Sequence, residues 1–291
     1  MSELDLVHLK IKDEEITEEI GDVDMNTIER VYLRQNLLTL EKDLPDFPNL
    51  VELDLYDNKI ESDNVINLAR FTRLEILDIS FNLLRFIHSC LQKLPLKQLY
   101  LIQNKLSVID NLDIPSLEVL ELGGNRIRQI DNLNALSNLK QLWLGKNKIE
   151  KLENLDNLQS LELLSIQANR LTSMDGLSNL HNLKELYLSH NGITEISGLE
   201  SLTNLETLDV SNNQLKTITN VSHLTKLQEL WVNSNQIDNL EDVEQELKGI
   251  ESLHTIYLEH NPIQRTLDTS YRRKLKLLLP QLKQIDATLT N

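Results

Sequence analysis

Apolar residues along this chain fall into a phrase that changes rhythm halfway. In the stretch from Leu139 to Leu158, Leu142 and Leu144 stand two residues apart, after which Ile149, Leu152, Leu155 and Leu158 recur every third residue. A spacing of two puts both leucines on one face of a strand and turns Trp143, between them, to the other side. A spacing of three suits a 3₁₀-like turn, whose side chains eclipse at that period. Asn147 lies where the rhythm changes and the chain must bend, and its amide can both donate and accept. The phrase therefore predicts a short strand, a polar turn and a tight return.

The phrase, L-x-x-L-x-L-x-x-N-x-L/I, comes round eleven times, with its asparagine at Asn36, Asn58, Asn82, Asn104, Asn125, Asn147, Asn169, Asn191, Asn213, Asn235 and Asn261. The intervals are 22, 24, 22, 21, 22, 22, 22, 22, 22 and 26 residues. A pattern and period of this kind predict a leucine-rich-repeat solenoid, because one unit cannot bury its leucine face alone whereas stacked units share a core. The expected fold is an α/β solenoid: a horseshoe with a concave parallel β-sheet, short 3₁₀-like convex turns and a C-terminal capping helix. The asparagines should form a ladder that satisfies backbone groups buried by stacking.

Residues 1–27 read as an N-terminal cap with a degenerate repeat, in which Leu4, Leu6 and Ile11 keep the phrase and Leu9 takes the asparagine's place. Residues 28–263 hold the eleven repeats and residues 264–291 a C-terminal cap, the whole forming one continuous structural domain. In that cap, Asp268-Thr269-Ser270 can start a helix from Tyr271 to about Leu279, ended by Pro280, with Leu282 and Ile285 closing the stack. A 22-residue unit is too short for a long helix in its return.

Charge narrows the range of partners. With 29 Lys+Arg against 45 Asp+Glu, a net charge of -16 repels phosphates, so nucleic acid is not expected; a basic protein surface fits, and so does an acidic surface kept for solubility. The single cysteine, Cys90, cannot form an internal disulfide, which points to a reducing compartment. The N-terminus is acidic, without the basic start and apolar run of a signal peptide. No stretch approaches the roughly 18 apolar residues of a membrane span, so an intracellular protein without a membrane partner is expected. Asn220-Val221-Ser222 matches a glycosylation sequon and reads as chance. The run Arg272-Arg273-Lys274 with Lys276 matches a nuclear signal, but the wet face of a capping helix explains it better. The seven histidines lack metal-ligand spacing, no phosphate-binding glycine loop occurs, and nothing pairs Cys90 with a base. No catalytic residue, cofactor or metal is expected, and the chain does not read as an enzyme.

Information is concentrated at the position between the second and third leucines, which strand alternation turns outward. Down the stack it reads Tyr32, Asp54, Asp78, Tyr100, Glu121, Trp143, Ser165, Tyr187, Asp209, Trp231 and Tyr257, and it holds six of the chain's eight Trp and Tyr residues. Strand preference for aromatics would apply equally to the neighbouring outward positions, which carry Gln98, Gln141, Glu185 and Glu229 instead. The row therefore predicts a binding surface, with aromatic anchors and with Asp54, Asp78, Glu121, Asp209 and Glu229 as carboxylates for the Arg or Lys of a folded protein partner.

Three runs go beyond the repeat consensus: Leu53-Asp54-Leu55-Tyr56-Asp57-Asn58, Leu74-Glu75-Ile76-Leu77-Asp78-Ile79-Ser80-Phe81-Asn82-Leu83-Leu84-Arg85 and Leu186-Tyr187-Leu188-Ser189-His190-Asn191-Gly192-Ile193. With the ending Tyr271-Arg272-Arg273-Lys274 to Gln284-Ile285-Asp286-Ala287-Thr288, they make the chain from Tyr32 onward resemble the leucine-rich-repeat regulatory subunits of protein phosphatase 1. The resemblance implies a non-catalytic subunit of nucleus and cytoplasm. Such a subunit holds the phosphatase catalytic subunit on its concave face and can enter a ternary complex with a second inhibitor protein. It also implies contacts at Asp78, Glu121, Asp209, Glu229, Trp231 and Tyr257, while Tyr100 and Trp143 replace the family's usual phenylalanine and add a polar atom that needs a partner. The short docking motif Lys/Arg-Val-x-Phe is missing; its nearest match, Arg30-Val31-Tyr32-Leu33, puts Val31 and Leu33 in core positions. An intracellular adaptor for another protein, of spliceosomal or axonemal type, is the alternative.

Overall fold

The structure, a computed structural model, describes residues 2–290. It divides into two compact units, Met1–Asn147 and Lys148–Asn291. In the first, strands β1 (Ser2–Asp5), β2 (Ile28–Tyr32), β3 (Glu52–Asp54), β4 (Ile76–Asp78), β5 (Gln98–Tyr100), β6 (Val119–Glu121) and β7 (Gln141–Trp143) pair in chain order, each parallel to the next. In the second, β8 (Leu163–Ser165), β9 (Glu185–Tyr187), β10 (Thr207–Asp209), β11 (Glu229–Trp231), β12 (Thr255–Tyr257) and β13 (Gln284–Ile285) do the same, and β14 (Thr288–Leu289) closes the edge antiparallel to β13. The register shifts once, between Ser2 and Glu3 of β1, and is regular in the pairs that follow within each unit: Leu208 of β10 stands opposite Leu186 and Leu230, and all three are fully buried. This is the leucine-rich-repeat β-solenoid the phrase predicts. Its returns carry the expected 3₁₀-type bonds: Leu136 N–H donates to Leu133, and Leu139 N–H to Leu136.

The asparagine ladder is present in full. Asn147 donates from Nδ2 to the carbonyls of Leu122 (2.9 Å) and Leu144 (3.0 Å), and its Oδ1 accepts from the Ile127 N–H (3.0 Å), so one side chain ties two coils. Replacing it with alanine would leave those buried groups unpaired. Asn147→Ala is expected to lower stability by about 1 to 3 kcal/mol in chemical denaturation, and an unchanged unfolding curve would show that water replaces the amide.

Two features of the turns are absent from the sequence reading. Each residue preceding a ladder asparagine lies in the left-handed region, with φ between 52° at Gln103 and 68° at Gly124, although only one of the eleven is glycine. Neighbouring coils impose this conformation: the Phe81 N–H, for example, donates to Ile102 O at 2.7 Å. A second left-handed series stands seven residues after the ladder, at Asn111, Asn132, Asn154, Gly176, Gly198 and Asn220. Asn111, Asn132 and Asn220 each donate from Nδ2 to a carbonyl of the preceding coil at 2.8 Å. Asn220 of the sequon is thus a rung of this second ladder.

The ends depart from expectation in detail. In the first cap Leu6 and Ile11 are buried, but Leu9 is 49% exposed and fills no ladder place; helix α1 (Ile16–Ile20) covers the coil instead. The Asp13 carboxylate accepts from the Thr39 N–H and hydroxyl and from the Glu41 N–H, which gives this acidic segment a structural use. The widened 26-residue interval does admit a helix, α2 (Leu240–Leu247), with Asn239 Oδ1 capping the Glu241 N–H at 2.9 Å. Asp268-Thr269-Ser270 does not cap the last helix: these residues form a 3₁₀ turn between α3 (Pro262–Leu267) and α4 (Tyr271–Leu278), and no side-chain cap bond is made. On α4, Arg273, Lys274 and Lys276 are exposed, whereas Arg272 donates to the carbonyls of Ile285, Thr288 and Leu289. Leu282 and Ile285 are buried, as a closing layer requires. Cys90 is also buried, its Sγ donating to Val65 O at 3.3 Å, and burial pushes the thiol up to about 11, well away from a reactive thiolate.

Candidate protein-binding site

The row between the second and third leucines occupies the last position of each strand from β2 to β12. In the first unit Tyr32, Asp54, Asp78, Tyr100, Glu121 and Trp143 are all half-buried, and the register sets Asp54 beside Asp78, Asp78 beside Tyr100 and Glu121 beside Trp143. Asp54, Asp78 and Tyr100 line a cleft of about 200 Å³ together with Glu52, Ile76 and Gln98. Burial, with the Asp78 charge beside it, pushes the Asp54 carboxyl up to about 6 against the opposing pull of the Tyr56 N–H and of Arg34, 3.2 Å away. Burial also raises Glu121 and Tyr100.

A raised carboxyl favours the protonated folded chain. Its contribution to stability is complete below the unfolded value of about 4 and is lost as pH rises through about 6. Asp54→Asn, which keeps the acceptor for Tyr56, should therefore gain on the wild type between pH 4 and 7 by up to about 2 kcal/mol. Denaturation curves across that range that ran parallel for the two proteins would show that Asp54 ionises as an ordinary carboxyl.

In the second unit the row is not uniformly open. Ser165 and Asp209 are each 2% exposed, contrary to the expectation that alternation alone leaves this position accessible. The reason at Asp209 is geometric. The rings of Tyr187 on β9 and Trp231 on β11 meet edge-to-face across the intervening strand, with centroids 6.4 Å apart, and Tyr257 packs on the far side of Trp231 at 5.4 Å. Beneath this roof the Asp209 carboxylate is occupied: Oδ1 accepts from the Ser211 N–H and hydroxyl, and Oδ2 from Gln167 Nε2 at 3.1 Å. Asp54 and Asp78 likewise accept from the N–H two residues on, so part of each aspartate's role is to shape the strand end.

Four of the aromatic polar tips find partners on their own strands, and that of Tyr257 finds one on the next. Trp231 Nε1 donates to Glu229 at 3.0 Å, the Tyr187 hydroxyl to Glu185 at 2.6 Å, the Tyr100 hydroxyl to Gln98 at 3.0 Å and Trp143 Nε1 to Gln141 at 3.5 Å, while Tyr257 accepts from Gln284 at 2.8 Å. The need noted for Tyr100 and Trp143 is thereby met. The acceptors two residues before Tyr100, Trp143, Tyr187 and Trp231, which at the level of sequence only set the aromatic row off from its neighbours, are positioning groups. Their signal was a Gln or Glu two places before Tyr or Trp. Gln167 and Gln284 carried none, since only the fold brings them to the site.

Among the described residues no group of three or more His, Cys, Asp and Glu side chains could hold a metal ion, and no helix is long and apolar enough to cross a membrane.

The family model for Leucine Rich repeats (2 copies) matches residues 115–157, 159–201, 181–223 and 203–248. Over 51 residues, 18% of this chain and 15% of the relative, the sequence is 49% identical to protein phosphatase 1 regulatory subunit SDS22 of Schizosaccharomyces pombe. It is 40% identical over 116 residues to the Arabidopsis thaliana protein phosphatase 1 regulatory inhibitor subunit PPP1R7 homolog, covering 38% of this chain and 35% of that one. With Bos taurus protein phosphatase 1 regulatory subunit 7 the figure is 63% over 43 residues, 15% of this chain and 11% of the relative. These matches thus span 11% to 35% of the relatives' lengths. Among solved structures, a leucine-rich-repeat protein of Leptospira interrogans superposes with a TM-score of 0.70 at 27% identity, covering 90% of this chain and 72% of that one. An internalin of Listeria monocytogenes, at TM-score 0.60, 23% identity and coverages of 96% and 95%, shares the fold. On the repeats matched and the strands they build, the chain is a leucine-rich-repeat protein, homologous over part of its length to regulatory subunits of protein phosphatase 1.

Proposed function

We propose that this chain is a non-catalytic regulatory or scaffold subunit that holds the catalytic subunit of protein phosphatase 1 against the outward face of its strands and thereby controls that enzyme's activity, assembly or localisation. The observation that carries the reading is the Tyr187–Trp231–Tyr257 cluster: three rings that the leucine core does not need, packed edge-to-face and rimmed by Glu185 and Glu229. Preassembled aromatic surface of this kind loses little side-chain entropy on association and is typical of interface hot spots. Relatives named as phosphatase regulatory subunits support the choice of partner. Val31 and Leu33 are fully buried, so the nearest match to the short docking motif is unavailable, which supports contact through the strand face. A ternary complex with a second inhibitor protein, in nucleus and cytoplasm, completes the reading.

The test is direct. Purified chain mixed with the phosphatase catalytic subunit should co-elute as a stable complex whose affinity weakens only in part as salt rises, the aromatic contribution being unscreened. Absence of a complex at low salt, with affinity capture from cells returning an unrelated protein, would favour the adaptor alternative.

A further inference from the structure

The first unit carries a stacked pair of rings, Phe81 exposed and Tyr56 half-buried, outside the row that the sequence singles out. Tyr56 and Phe81 lie with centroids 4.7 Å apart; the Arg34 guanidinium covers the Tyr56 ring at 4.5 Å, and Arg34 in turn pairs with Asp54 at 3.2 Å. Phe81 is 40% exposed at a φ of 55°, in the turn position that the other repeats fill with glycine, alanine or polar side chains such as Gln103, Lys146, His190 and Asn212, and it is the one wholly apolar ring among them. The left-handed backbone there is imposed by neighbouring coils, so it suits asparagine or glycine better than a bulky ring. Nor does the core need the ring, since Ile79 and Leu84 on either side are already buried. Strain and exposure retained together at one residue point to use rather than to folding.

We propose that Arg34, Tyr56 and Phe81 form a second anchoring surface, which takes an apolar side chain of the phosphatase flanked by lysine or arginine; the inference rests on the function proposed above. The cationic flank follows from charge. Arg30 pairs with Glu52 and Arg34 with Asp54, but among the described residues no ion pair engages Asp57 or Asp78, which stand beside the stack: the Asp57 N–H donates to Ser80 O, next to Phe81, and Asp78 adjoins Asp54 across the sheet. An apolar anchor with two unneutralised carboxylates at its side matches a basic, partly apolar segment.

Phe81→Asn separates binding from folding. It should leave the thermal midpoint unchanged or raised, because the strain is relieved, while affinity for the purified phosphatase catalytic subunit falls at least about tenfold. Phe81→Tyr, which keeps both ring and strain, should bind within about threefold of wild type. A lowered midpoint in Phe81→Asn would show that the ring serves the fold and overturn the proposal, as would undiminished affinity in that variant or a tenfold loss in Phe81→Tyr. If the wild-type chain itself forms no complex, the phosphatase reading falls and this one with it; if the wild type binds and Trp231→Ala does not, while Phe81→Asn binds normally, only the second surface is refuted.

Discussion

Gly176→Ala is expected to be the most destabilising single substitution of those considered, costing more than about 4 kcal/mol or preventing cooperative folding. Gly176 sits in the second left-handed series at φ 108°, and a Cβ added to it would lie 2.0 Å from the Leu152 carbonyl oxygen and 2.9 Å from its carbon. Backbone cannot yield as a flexible side chain does, so two stacked coils would have to part. The unfavourable φ alone accounts for about 1 to 3 kcal/mol, and the broken packing adds the rest. Gly198 offers an internal comparison. At φ 70° its added Cβ would approach Met174 O at 3.2 Å, and four other repeats hold asparagine in the same place. Gly198→Ala should therefore cost only about 1 to 2 kcal/mol, and Gly198→Asn close to nothing. Denaturant titrations of the three variants test the order; a Gly176→Ala protein as stable as Gly198→Ala would mean that the coils slide apart at little cost.

The largest effect on binding is expected from Trp231→Ala combined with Glu229→Ala, which should weaken capture of the phosphatase catalytic subunit at least about hundredfold. Trp231 is the central ring of the cluster, in contact with Tyr187 on one side and Tyr257 on the other, and Glu229 holds its indole N–H. Removing both takes away the anchor and opens the roof over Asp209. The fold should survive, because Leu230 and Val232, on the opposite face of the strand, are fully buried and untouched. Circular dichroism checks that point. Lys151→Ala and Glu153→Ala, in the return segment of another repeat, serve as controls expected to bind within about threefold of wild type. Wild-type affinity in the Trp231/Glu229 double variant, with an intact fold, would remove the strand face from consideration.

Much of the fold was legible because each repeat states it locally. A two-residue spacing assigns Leu142 and Leu144 to the core and Trp143 to the outside, a three-residue spacing sets the return, and Asn147 marks the bend; the structure follows all three. The helix α2 was missed because the phrase describes a 22-residue unit, and only the 26-residue interval makes room for it. The cap expected from Asp268, Thr269 and Ser270 failed because α3 already runs into those residues and bends them into a 3₁₀ turn. The aromatic row was visible, but its accessibility was not: nothing within the repeat containing Asp209 says that rings from the repeats before and after it will close above.

By itself, then, the sequence determined the period, the strand face on which each residue lies and the asparagine ladder, since these depend on spacings within one unit and on the donors and acceptors of one side chain. Tertiary structure alone decided which outward residues remain open, where the polar tip of Tyr257 finds its partner, how far burial lifts the Asp54 carboxyl, and that Phe81 should stand exposed in a left-handed turn. Each of these depends on distances between side chains of neighbouring coils and on the water that those coils together exclude, quantities that belong to the stack and to no single repeat.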